Sequence, residues 1–252
     1  MSVSYLGYRV KYDYHTHTVY SHGKGTIEDN VRTAFAKGLS GVGISDHGPG
    51  HLLYGLNAGK IRSMKNDIAR LKGIYPDMEI LLSVEANIHS AGNCLDLNGI
   101  RPGDFDFLIA GYHYGVWGGY GLANLISSNT PFGTAAGRKQ ITKNTNMVIK
   151  AIYENQIMIL THPGAKGFFD IYEIAKACAE RGTYLEINDR HEYLSAEGIR
   201  QAAGTDVKFV ICSDAHAPGQ VGSCGRGIKR AIDAGLDMER VVNIEKFDGG
   251  EL

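Results

Sequence analysis

Residues able to bind divalent metals recur along this chain where apolar, strand-like runs give way to glycine, proline or polar residues. They are His15, His17 and His22 in HTHTVYSH, Asp46 and His47 in ISDH, Glu85 in SVEAN, His113 in AGYH, His162 in LTHPG, and Asp214 and His216 in CSDAH. Imidazoles and carboxylates are the usual ligands of divalent transition metals. So many at strand ends suggest a multinuclear metal site in an α/β barrel, whose functional residues gather at the C-terminal ends of the strands.

Spacing supports this chemistry locally. Residues two apart in a strand face the same side, so His15 and His17 can grip one ion together, and Asp214 and His216 repeat the spacing after KFVIC. Glu85 follows the apolar run ILLSV, where an isolated carboxylate is costly to desolvate unless a cation neutralises it; bridging two metals meets that need. His113 and His162 close LIAGYH and IMILTH in matching positions. Asp13 and Asp46 adjoin candidate ligands and could orient imidazoles or cap loops. His51, His89 and His191 fall in loop-like surroundings and stay outside the ligand set, with His191 the best placed of them to approach a substrate.

The elements that must position these groups alternate. Strand-like segments cover Tyr8–His17, Gly41–Asp46, Glu79–Ile88, Phe105–His113, Ile157–His162, Thr183–Asn188 and Lys208–Asp214. Helical patterns cover Ile27–Lys37, Ala58–Tyr75, Arg138–Asn155, Phe168–Arg181, Ser195–Ala203 and Arg226–Ala234. Repeated βα units predict an α/β fold, a distorted seven-stranded (β/α)7 barrel resembling a TIM barrel. An open doubly wound sheet would place its site at one switch point served by few strands, whereas here six strands contribute. A single domain over residues 1–252 is expected, with the glycine-rich Tyr114–Gly137 stretch a long loop on the functional face.

Composition narrows the partners. With 26 Lys and Arg against 27 Asp and Glu, and no basic cluster, the chain lacks the electrostatic footprint of a nucleic-acid or anionic-membrane binder. The four cysteines form no CxxC pair, and neither a secretory signal pattern nor a membrane-spanning run is present. A cytoplasmic location, reduced thiols and no membrane partner are expected; assembly into a homo-oligomer is left open.

Taken in order, the HxH opening and the DHGP, EANI, HPG, LEIN and SDAH segments resemble the PHP superfamily of polymerase-associated and histidinol phosphatase proteins, and above all its stand-alone bacterial phosphatases. The resemblance implies three divalent ions (zinc, manganese or iron). His15, His17, Glu85 and Asp214 would hold the first, with Glu85 bridging to a second held by His113 and His162. His22, His47 and His216 would hold the third. It also implies hydrolysis of a small phosphomonoester by a hydroxide shared between ions, with Glu85 and Asp214 as catalytic carboxylates and Asp214 a candidate proton donor. Arg190, just past the sixth strand, could clamp phosphate with its planar fork, and His191 could approach the substrate; Lys166 and Arg226 are weaker candidates for the same duty. A dedicated histidinol-phosphate phosphatase is the narrower alternative. A phosphodiesterase or nuclease is the alternative of another class, disfavoured by the near-neutral charge.

Overall fold

The computed structural model describes residues 5–51, 53–90, 92–97, 99–114, 116 and 134–247. A short strand β1 (Tyr8–Val10) precedes seven parallel strands that neighbour one another in simple chain order. These are β2 (Tyr12–Thr16), β3 (Gly41–Ile44), β4 (Glu79–Asn87), β5 (Phe107–Gly111), β6 (Ile159–Leu160), β7 (Tyr184–Asn188) and β8 (Phe209–Cys212). The chain beyond β8 returns to β2: Thr16 bridges Ala215, and His17 N–H donates to the Ala215 carbonyl at 2.8 Å. The sheet is thus a distorted, nearly closed barrel of the TIM type.

Helices α1 (Ile27–Ala36), α2 (Ala58–Ile74), α3 (Ala135–Glu154), α4 (Ile171–Arg181), α5 (Ala196–Ala203) and α6 (Gly225–Asp233) cover its outer face. Their apolar residues recur at helical spacing: Ile27, Val31 and Ala34 are buried on α1, and Ile61, Met64, Ile68 and Leu71 on α2. Each of the first five begins at a capping side chain, from Thr26, Asn57, Thr134, Asp170 and Ser195 in turn, which accepts a backbone N–H of the first turn. Strands covered on both sides run largely apolar, and all four residues of both β3 and β8 are buried.

The barrel interior is layered. Tyr14, Phe107 and Tyr184 lie near one end, packed on Ile109, Ile159, Val210 and Cys212. Period-two alternation then carries Glu85, Glu186 and Asp214 inward above them. The register between β2 and β3 shifts between Asp13 and Thr16, so past Tyr14 the two histidines of HTH, rather than Thr16, turn to the interior. Thr16 instead donates its hydroxyl to the Gly43 carbonyl at 2.8 Å.

Two expectations change. The predicted Tyr8–His17 strand breaks at Lys11: β1 leaves the barrel and pairs antiparallel with β9 (Ile244–Lys246), a three-residue strand too short and too exposed to show an apolar pattern. Of the predicted Tyr114–Gly137 loop, most lies outside the described residues, and its end from Ala135 is helical. Among the described residues no helix is long and apolar enough to cross a membrane.

Candidate metal centre

At the C-terminal mouth of the barrel the nine residues singled out as ligands converge on Glu85, which is 1% exposed. Its Oε1 lies 2.8 Å from His162 Nε2 and 3.4 Å from both His113 Nε2 and His15 Nε2. Oε2 lies 3.0 Å from His47 Nδ1 and 3.6 Å from His17 Nε2. Asp214 Oδ1 is 3.3 Å from His17 Nε2 and from His216 Nδ1, and 3.7 Å from His15 Nε2. His22 closes the set from the loop after β2, its ring centroid 4.8 Å from that of His47 and 4.2 Å from that of His216. Three groups within it have donor atoms close enough to share an ion: His15, His17 and Asp214; His47, Glu85 and His113; and His17, His47 and His216.

The backbone is bent to this end. His162 and Asp214 have φ of 28° and 52°, in the left-handed region that non-glycine residues rarely occupy. Such conformations cost of order 1–3 kcal/mol each and concentrate at functional sites. Gly111 lies beneath the cluster, where a Cβ would meet Thr161 Oγ1 at 2.2 Å, His162 Cε1 at 2.7 Å and Glu85 Oε1 at 3.1 Å. Asp46 and Asp13 hold loops, not imidazoles. Asp46 accepts from Thr18 N–H and hydroxyl and from the Ser21 hydroxyl, fixing the turn that presents His22. Asp13 accepts from the Ser213 N–H and hydroxyl and from Gly222 N–H, fixing the segment that presents Asp214.

The group that does orient an imidazole is Glu186, which the sequence reading passed over. It is fully buried in β7; its Oε1 accepts from His15 Nδ1 at 2.7 Å, leaving Nε2 free to face the cluster. Its Oε2 accepts from His162 N–H at 2.6 Å and from the Asn188 amide at 2.9 Å. The signal was in YLEIN, a carboxylate inside an apolar strand, the same argument that singled out Glu85.

Charges are arranged for cations. Burial would raise Glu85, but the His113, His15 and His47 imidazoles hold it well below the usual carboxylate range. Asp214 is likewise held low by His15 and His17 against burial. Burial pushes His113 and His22 down to about 3 and His216 to about 4, leaving them neutral. It also pushes His17 well down, opposed by a hydrogen bond with Asp214. On His15 and His162 burial is outweighed, by Glu186 foremost for the first and Glu85 for the second, and both stand above the ordinary imidazole value.

The donor set fits divalent ions. Of the buried atoms that face the cluster, His47 Nδ1 and Glu85 Oε2 have no hydrogen-bond partner among the described residues. His47 Nδ1 and Glu85 Oε2 are close, yet not hydrogen-bonded to each other. Buried polar atoms left this way are rare and cost about 1–3 kcal/mol each, and a cation facing acceptor nitrogens and carboxylate oxygens removes that cost.

Above the cluster opens a cleft of about 200 Å³ lined also by Lys166, Arg190, His191 and Tyr193. Arg190 reaches across to His216. His191 Nε2 stands 3.6 Å from Asp214 Oδ2. Lys166 carries φ of 56° and lies with its Nζ 5.6 Å from the Tyr114 ring centroid. Arg226 points elsewhere, to Asp189 at 3.3 Å. His51, left outside the ligand set by the sequence reading, stacks on His47 at a centroid distance of 5.0 Å.

Comparison with known proteins gives concordant results. A family model described as the PHP domain matches residues 13–190. A protein from Thermoanaerobacter sp. (strain X514) described as a probable phosphatase is 30% identical over 249 residues, covering 92% of this chain and 90% of its own. Another of that description, from Acetivibrio thermocellus, is 26% identical over 250 residues, covering 94% and 92%. Among solved structures, the histidinol phosphate phosphatase of Lactococcus lactis, complexed with zinc, L-histidinol and phosphate, superposes with a TM-score of 0.64 at 18% identity, covering 90% of this chain and 94% of that one. At that identity the likeness establishes the fold.

Proposed function

The chain belongs to the PHP domain family, and we propose that it is a metal-dependent phosphatase hydrolysing a small phosphomonoester. The observation that carries this reading is the buried carboxylate of Glu85, ringed by five imidazoles at 2.8–3.6 Å beneath an open cleft. His15, His17 and Asp214 would hold one ion, His113 and His162 a second, with Glu85 between them, and His22, His47 and His216 a third. Bound there, divalent ions supply charge neutralisation for a phosphate dianion and lower the pKa of water, providing a nucleophile at neutral pH.

The chain's own groups do the rest. Glu85 and Asp214 stay ionised and balance the cationic charge. The imidazoles of His17, His22, His113 and His216, held neutral by burial, offer lone pairs without first losing a proton. Arg190 at the cleft mouth presents a planar fork matched to two phosphate oxygens, and Lys166 adds a point charge. His191, its Nε2 3.6 Å from Asp214 Oδ2, lines the same cleft and would meet the phosphate ester beside Arg190.

Of the two forms this activity takes in the sequence reading, a general phosphomonoesterase and a dedicated histidinol-phosphate phosphatase, the comparisons favour the second, because the solved neighbour has that name and holds L-histidinol with phosphate. The stacked His191 and Tyr193 rings, 5.3 Å between centroids, offer a flat wall to an imidazole. The test is phosphate release by chelated protein reloaded with zinc, manganese or iron, given histidinol phosphate and an aryl phosphate. Metal-restored turnover with histidinol phosphate well ahead is expected; equal efficiency on both removes the dedicated form, and no turnover of either removes the phosphatase reading.

A further inference from the structure

The loop after β7 brings Arg190 and His191 to the cleft, and the means of holding it lie outside the cleft, on α6. Asp189, 5% exposed, accepts the Gly227 N–H at 2.8 Å and meets Arg226 Nε at 3.3 Å. Arg230, one turn further along α6 and only 9% exposed, donates from Nη2 to the Asn188 carbonyl, with the His191 carbonyl 3.5 Å from the same nitrogen. Its Nε has no hydrogen-bond partner among the described residues, and the hydrogen bonds the guanidinium does make run from Nη2 to those two carbonyls. Asn188 then works in both directions: its Oδ1 accepts the His191 N–H at 2.8 Å, and its amide reaches Glu186 Oε2 at 2.9 Å and Asp214 Oδ2 at 3.3 Å.

A buried guanidinium is costly to desolvate, and a helix can be tied to a barrel by apolar packing alone. Here that packing is already tight, since a Cβ on Gly227 would come within 2.6 Å of Ile211 Cγ2 and 3.2 Å of the Ile187 carbonyl. What Arg230 adds is the fixed direction of the two carbonyls that bracket Arg190. We propose that Arg230 is a positioning residue for substrate binding: from α6 it locks the turn Asn188–His191 and so holds Arg190 and His191 where they meet the phosphate ester. The inference rests on the phosphatase reading for the identity of the ligand but not for the latch itself.

The experiment compares Arg230→Met with the unaltered protein, both fully metallated. Loss of a charge-assisted hydrogen bond to phosphate weakens binding by roughly ten- to a hundredfold. Because Arg190 and His191 grip the phosphate in ground and transition states alike, KM for the ester rises by roughly ten- to a hundredfold while kcat changes by less. Metal content stays at its original level, and exchange of the backbone amides of residues 188–193 accelerates. In Arg230→Ala, added guanidinium ion lowers KM again. A folded, fully metallated Arg230→Met protein with unchanged KM overturns the proposal, as does failure of guanidinium to restore KM. Should Arg230→Met fail to fold, Asp189→Ala, which removes the acceptor of the Gly227 N–H and loosens the same turn from that side, carries the same expectation. Binding of inorganic phosphate separates the two readings. Unaltered protein that binds phosphate yet turns over no ester defeats the phosphatase reading alone, whereas equal phosphate affinity in unaltered and Arg230→Met protein defeats the latch alone.

Discussion

Replacing Glu186 by Gln removes one charge and almost no volume, and its effect follows from the three hydrogen bonds the carboxylate accepts. One oxygen takes the His15 Nδ1–H at 2.7 Å, and the other takes the His162 N–H at 2.6 Å and the Asn188 amide at 2.9 Å. A glutamine has one acceptor end and one donor end. If its oxygen faces His162 and Asn188, its NH₂ opposes His15 Nδ1–H; if it faces His15, its NH₂ opposes two donors. Either way one buried donor at least is left unmet, at a cost of about 1–3 kcal/mol. Retained bonds also lose their charge assistance. Because His15 and His162 are presented by this carboxylate, the cost falls on the metal-loaded form, and apparent metal affinity drops by roughly ten- to a hundredfold. Competition against a chelator of known strength, with ion content read by elemental analysis, measures it directly. An unchanged chelator midpoint in a folded Glu186→Gln protein would refute the argument that Glu186 sets the orientation of His15.

Three further outcomes are expected. Gly111→Ala drives a methyl into Thr161, His162 and Glu85 (2.2–3.1 Å), so the variant loses the ion between Glu85 and His162; full occupancy would contradict the close-packing argument. Asp46→Ala frees the Thr18–Ser21 turn and so removes the ion facing His22 and His216, with the His15–His17–Asp214 group keeping its own; loss of every ion alike would show instead that Asp46 supports the whole mouth. His15, standing well above its ordinary pKa, carries a proton in the metal-free chain at neutral pH, so metal must displace it and affinity falls as pH is lowered. Calorimetry in buffers of different ionisation enthalpy should report proton release, and identical heats in all buffers would contradict that protonation state.

Among the described residues, the seven barrel strands and six helices were legible because strands buried on both faces show as apolar runs and helices show as an apolar stripe at helical spacing, as on α1. β9 was not, since Ile244–Lys246 is three half-exposed residues stabilised by β1 rather than by its own pattern. Residue type marked all nine residues that the fold gathers in one cluster, and strand-end position marked all of them but His22, which lies on a loop. The supporting residues were harder to see. Asp13 and Asp46 stand beside histidines in sequence, yet their hydrogen bonds run to backbone and hydroxyl groups of loops. Glu186 stands 171 residues from the histidine it orients. Arg230 reads as an ordinary helix arginine until α6 is packed against β7 and β8, because only tertiary structure shows that it faces carbonyls.

The most direct test of the account is one sample measured twice: metal-stripped protein titrated with zinc while bound ions per chain and phosphate released from histidinol phosphate are followed together. Turnover that appears only as the shared donor groups fill, and that disappears again on chelation, is the predicted result. A chain that takes up several ions yet releases no phosphate from this or any other phosphomonoester, or one that turns over ester equally well without metal, would contradict it.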